Sequence, residues 1–157
     1  MNREARLARA RVLQGSRAGF VSRVLAAAVD VAVILLVETA IVAFVALVRW
    51  VITAGDFEIS QPQGVVARVL TVALAVIYFG YLWTATGRTV GEQVLGLRTV
   101  TAYGSRVPWL RAYLRACLVL AFPVGLLWIV ISRKNASVQD LLCRTAVIYD
   151  WGVPRTT

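Results

Sequence analysis

The chain has 157 residues, of which 59% are hydrophobic and only 16% charged, against about 45–50% and about 25% in ordinary soluble domains. Its net charge is +9, from 17 basic and 8 acidic residues, and it has no histidine. These values exclude His-based catalysis, His metal sites and the usual near-neutral proton switch, and they leave no room for a separate soluble domain beside the apolar runs.

Residues 1–17 carry Arg3, Arg6, Arg9, Arg11 and Arg17 against Glu4. This basic segment reads as a short surface helix or as an orienting tail. Residues 24–48 form an apolar run of about 25 residues, long enough to span a bilayer with tilt and too long for a signal-peptide core. Arg23 stands at its start, with Asp30 and Glu38 inside it. Asp30 follows Arg23 by nearly two helical turns, so both point to one side, with Asp30 roughly 10 Å deeper. A carboxylate there costs at least about 2.5 kcal/mol unless paired, hydrated or protonated. Arg49 and Trp50 then read as an interfacial anchor, and residues 53–64 as a polar loop on the far side.

Residues 65–85 are the second apolar run, with Arg68 near its start, able to snorkel outward. Tyr78, Tyr81 and Trp83 near its end suit an aromatic belt. The positive-inside rule puts the N-terminus in the cytoplasm, and with it the loop after residue 85, which carries Arg88, Arg98 and Arg106. In that loop residues 97–103 alternate as a strand does, and residues 144–149 repeat the pattern near the C-terminus, so a cytoplasmic two-stranded ribbon is expected.

Residues 109–132 are a third apolar segment. Arg111 and Arg115 occupy its first part, leaving about 16 residues against the roughly 20 a span needs. Pro123 and Gly125 interrupt it, and Arg133 and Lys134 follow. A re-entrant helical hairpin with both ends cytoplasmic satisfies these features better than a third span, and puts the C-terminus in the cytoplasm. Asp140 follows, just before the second strand pattern. The expected architecture is an all-α membrane protein with two transmembrane helices, a third re-entrant or spanning segment and the small β ribbon. Residues 18–150 form the membrane domain, and 151–157 a tail.

The two cysteines, Cys117 and Cys143, have no metal-ligand spacing and read as free thiols facing the reduced side, with a structural disulfide as the weaker reading. Gly87, Gly91 and Gly96 match neither a P-loop nor a dinucleotide fingerprint, so they read as turns and close-packing points. No catalytic pair, cofactor or metal is implied, so an enzyme is not expected. The basic excess fits anionic lipid headgroups, not nucleic acid.

Three ordered stretches resemble the RDD family of small bacterial membrane proteins. AGF at 18–20 with Arg23 and Asp30 is similar to its first motif. TVGEQVLGLRTV at 89–100 is similar to T-x-G-K-x-x-x-G-L-R-V-V. SVQDLLCRTAV at 137–147 is similar to H-D-L-x-x-x-T-x-V. The resemblance implies that Arg23, Asp30 and Asp140 are the residues the family is named for, and that the membrane is the bacterial inner membrane. Glu92 stands where that pattern has a lysine, and Gln139 where it has a histidine. Family members have been associated with cation–proton exchange or with larger membrane systems.

The residues admit two readings of the cluster. In one, Arg23 pairs with Asp140, while Asp30 is met by Arg23, Arg98 or a Thr or Tyr hydroxyl, forming a charge clamp. In the other, Asp30 is a proton or cation site. Glu38 is expected to reach Arg68 or a neighbouring subunit. Three short segments cannot enclose a solvated path alone, so a larger membrane complex or a homo-oligomer is expected. The chain then reads as an accessory subunit, a homo-oligomeric cation or proton transporter or, more weakly, a binder of anionic lipid.

Overall fold

The computed structural model describes residues 15–53, 64–131 and 136–151. The basic segment up to residue 14, the polar loop at 54–63, Arg133, Lys134 and the tail from residue 152 lie outside the described residues. Helix α1 is Phe20–Thr53, 34 residues, about 51 Å long against a hydrocarbon core of about 30 Å. It outruns the expected 24–48 at both ends because neither flank contains Gly or Pro to stop it. Arg49 and Trp50 therefore lie within the helix, and Thr53 donates to the Arg49 carbonyl at 2.8 Å. Helix α2 is Gly64–Ala85, 22 residues, and matches the expected second run. Gly87, at φ 72°, ends it by donating its N–H to the Leu82 carbonyl at 3.1 Å, a left-handed terminator that glycine adopts without strain.

Both helices are long and apolar enough to cross a membrane, with mean hydropathy 2.9 and 2.0 in their most apolar windows. Only 11% and 17% of those windows are buried, so these are not the enclosed core helices of a soluble fold.

After α2 come the short helix α3 (Val90–Val94) and strand β1 (Leu97–Thr101). Strand β1 pairs antiparallel with β2 (Thr145–Tyr149), Thr99 opposite Val147. The ribbon is shorter than expected at one end, where Thr101 faces Thr145. The Gly104 N–H turns back to the Thr101 carbonyl at 2.9 Å, and Arg144 is left-handed at φ 51°. The far edge of β2 is covered as well: Ala18 donates to Val147 at 2.9 Å and Tyr149 to Ser16 at 2.9 Å. The stretch before α1 thus acts as a third strip of ribbon and protects an otherwise open edge.

Between the strands lie α4 (Trp109–Ala121), a 3-10 turn (Pro123–Leu127), α5 (Trp128–Ile131) and α6 (Val138–Cys143). Helix α4 has 13 residues, about 20 Å, too short to span. Pro123 lacks the N–H that would continue it. The strands flanking this broken segment are bonded to each other. Helix α4 packs on α2 through Ala75, Phe79, Trp83, Ala112 and Ala116, joined by Ile34 and Val107. The Tyr113 ring lies against Gly80, where a Cβ would come within 2.6 Å of it. This packing corrects the aromatic belt: Tyr81 is 63% exposed, but Trp83 is buried at 3%, because residues 75, 79 and 83 share the face that meets α4. A second small core of Ala18, Ala26, Leu97 and Val147 fastens the ribbon to α1. Cys117 is exposed and Cys143 buried, both free thiols.

Candidate functional site

Asp140 sits in the first turn of α6, where Ser137 caps the helix. The Ser137 hydroxyl accepts from the Asp140 N–H at 3.1 Å, and Asp140 Oδ2 accepts from the Ser137 N–H at 3.2 Å. This reciprocal box fixes the carboxylate before any charge approaches. Arg23 Nη1, from α1, then donates to Oδ2 at 2.5 Å. Arg115 Nη1, from α4, donates to Oδ1 and lies 2.5 Å from the Thr145 hydroxyl on β2. Asp140, Arg23 and Arg115 are only 1%, 6% and 3% exposed. The Arg115 guanidinium rests over the Trp83 ring, 4.8 Å from its centroid, a cation–π contact at close range. Burial alone would raise the Asp140 pKa. The opposing pull of Arg115 and Arg23 outweighs it and holds the carboxyl at about 2.

Asp30 is held differently. Its Oδ2 accepts from the Thr89 hydroxyl at 2.6 Å. Its Oδ1 accepts from the Tyr78 hydroxyl at 2.7 Å and the Gly91 N–H at 2.8 Å. Thr89 in turn caps α3: its hydroxyl accepts from the Glu92 N–H at 3.1 Å, and Glu92 Oε2 accepts from the Thr89 N–H at 3.1 Å. Helix α3 stands so close to α1 that a Cβ on Gly91 would collide with the Ala26 carbonyl. Glu92 also accepts from the Thr99 hydroxyl at 2.7 Å and the Trp83 indole N–H at 3.2 Å. Burial pushes the Glu92 pKa up despite the Arg115 charge and these donors. Arg23, Asp30, Glu92, Arg115 and Trp83 border one cavity of about 60 Å³, room for a few waters.

The three stretches singled out in the sequence therefore meet at one buried cluster. The family profile described as the RDD family matches residues 17–144. The chain belongs to the RDD family. No curated protein and no solved structure matches it.

The three RDD residues share the cluster, but not as one charge clamp. Arg23 meets Asp140, as expected. Among the offered partners of Asp30, hydroxyls hold it, joined by a backbone N–H. Arg98 does not reach it; on the outer face of the ribbon it pairs with Asp150 at 3.1 Å, beside Arg88 at 2.5 Å. Glu38 does not meet Arg68 either. It accepts from the Thr71 hydroxyl at 2.6 Å, and Arg68 is exposed.

Sequence reasoning missed Arg115, Glu92, Thr89 and Trp83 as cluster members. Arg115 had a signal: an arginine inside an apolar stretch requires an acid or an aromatic face. T-x-x-E at 89–92 was readable as a capping box. The two departures from the RDD pattern both have structural partners. Glu92 completes that box, and Gln139 donates to the Phe122 carbonyl at 2.6 Å, holding the break in the third segment. Among the described residues no three Asp, Glu or Cys side chains gather as metal ligands.

Proposed function

We propose that this RDD-family chain is a non-enzymatic subunit of the bacterial inner membrane that works by association, with Arg23, Asp140 and Arg115 as its structural clamp. The observation that carries this reading is the double pairing of Asp140. Its two oxygens are each held by an arginine from a different helix, and Oδ2 also accepts from its own helix cap. A group so engaged ties α1, α4 and α6 together. The apolar faces of α1 and α2 remain open to lipid or another subunit. The pairing of β1 with β2 on either side of the broken segment supports a re-entrant third segment. The arginine-rich loops support cytoplasmic placement of the ribbon and both termini.

Purification in mild detergent tests this: the chain is expected to retain a membrane-protein partner or further copies of itself. A second reading, proton-coupled cation transport, is favoured by Asp30 and Glu92 bordering one cavity. Proton-coupled flux by the purified chain in proteoliposomes, abolished by a folded Asp30→Asn variant, would replace the first reading with the second.

A further inference from the structure

Glu38 takes no part in the buried cluster, and its surroundings are of another kind. It lies on α1 beyond Asp30, half-buried, with one oxygen held by Thr71 and no partner for the other among the described residues. It opens into a groove of about 480 Å³ between α1 and α2. One wall is the stripe 38, 41, 42, 45 of α1, and the other is 70, 73, 74, 77 of α2. Both follow the i, i+3, i+4, i+7 spacing that receives a packed helix. Ile41, Val45, Leu70 and Ile77 line it and are 49–59% exposed, so the described chain leaves the seat open.

The same chain carries a matching insert. Val65, Arg68, Val69 and Val72 repeat that spacing on α2, centred roughly 140° around the helix from the groove wall. All four are exposed, and Arg68 has no hydrogen bond or ion pair among the described residues. The two stripes lie at one depth. Moving along α1 from Asp30 to Glu38 moves back along α2 from Tyr78 to Thr71, so the helices run antiparallel. Residues 38–45 then lie level with residues 64–71, in a band about 10 Å tall. One face presents a single acid among apolar residues, and another face at the same height presents a single base.

We infer that a second copy of this chain seats its 65/68/69/72 stripe in the groove, with Arg68 of one copy meeting Glu38 of the next. The contact joins two different faces, so it is heterologous and propagates around a ring. The inference rests on the reading that this protein works by association, and names the partner and the contact. The two charges fix the rotation of the docked helix and exclude lipid tails, which offer Glu38 no donor.

The test is the assembly state of the full chain in mild detergent, by native mass spectrometry. The wild type is expected as an oligomer. Glu38→Arg or Arg68→Glu alone weakens assembly at least tenfold and leaves monomer, and the combined reversal restores the oligomer. Ala73→Trp fills the groove without changing charge and also leaves monomer, so it decides the matter if a single reversal does not fold. A wild-type monomer, with or without bound phospholipid, overturns the inference. So does an oligomer that survives both single reversals, or Ala73→Trp. If a different membrane protein co-purifies in those cases, the association reading stands and only this contact falls.

Discussion

Replacing Asp140 with asparagine keeps shape and volume but removes the carboxylate that is bonded to both Arg23 and Arg115. Two guanidiniums, 6% and 3% exposed, are then left buried without that counter-charge. Removing one partner of a buried ion pair costs about 3–5 kcal/mol. Here the loss falls at the upper end, because one acid serves two bases. Arg23→Met or Arg115→Met should each cost less, since either leaves one neutral pair. Asp30→Asn should also cost less, because its partners are two hydroxyls and an amide, with no stranded charge. At about 2–4 °C per kcal/mol for a chain of this size, Asp140→Asn lowers the melting temperature in detergent by about 10–20 °C, read by circular dichroism. An Asp140→Asn protein within about 1 kcal/mol of wild type, or less damaged than Asp30→Asn, would refute the clamp.

Stability against pH should show two opposed contributions. Asp140 has a folded pKa of about 2, below the ordinary 3.8. Its contribution is therefore present above pH 3.8 and is lost only as the pH falls toward 2, so it is flat between pH 5 and 7. Glu92 has a folded pKa raised above 4.5. Its contribution is full below pH 4.5 and is lost as the pH rises through the folded value, and Glu92→Gln should flatten that part of the melting-temperature profile. Gly91→Ala drives a methyl into the Ala26 carbonyl and parts the amide from Asp30, so thermal melts should show about 1–3 kcal/mol or more of loss. Tyr103, 86% exposed beside the ribbon turn, reports topology: in a Cys117→Ala background, Tyr103→Cys should react with impermeant maleimide only from the cytoplasmic side, and reaction only from outside would overturn the orientation.

The sequence made the long-range elements legible because each carried a strong physical signal. Apolar length marked α1 and α2, and β-branched alternation marked both strands. Arg111, Arg115 and Pro123 counted against a simple third span. The cluster was half legible. The pairing of Arg23 with Asp140 followed from opposite charge once the expected hairpin returned Asp140 to the side of Arg23. For Asp30 a Thr or Tyr hydroxyl was among the expected partners, but not which ones, nor the Gly91 amide: hydroxyls and a glycine amide carry no sequence mark of their own, and the helix start at Thr89 places two of the three. Trp83 was misread because a tryptophan near a helix end suits the interface and the core equally. Arg98 and Arg68 were assigned by proximity in charge, and the folded backbone turned both outward.

The geometry separates two jobs that the three RDD residues seemed to share. Arg23, Arg115, Asp30 and Glu92 line the cavity, and Asp140 joins the cluster through its ion pairs with the two arginines. With every group ionised the cluster carries one excess negative charge in a poorly hydrated place. One bound proton makes it neutral. A proton taken up by the cluster would not rest on Asp140, whose pKa the two arginines hold at about 2; burial pushes the Glu92 carboxyl the other way. Thr89 bonds to both Asp30 and Glu92, donating its hydroxyl to Asp30 and accepting the Glu92 N–H. Fastening is therefore the work of Asp140 and its arginines. On the Asp30–Thr89–Glu92 side the partners of Asp30 among the described residues are all neutral donors.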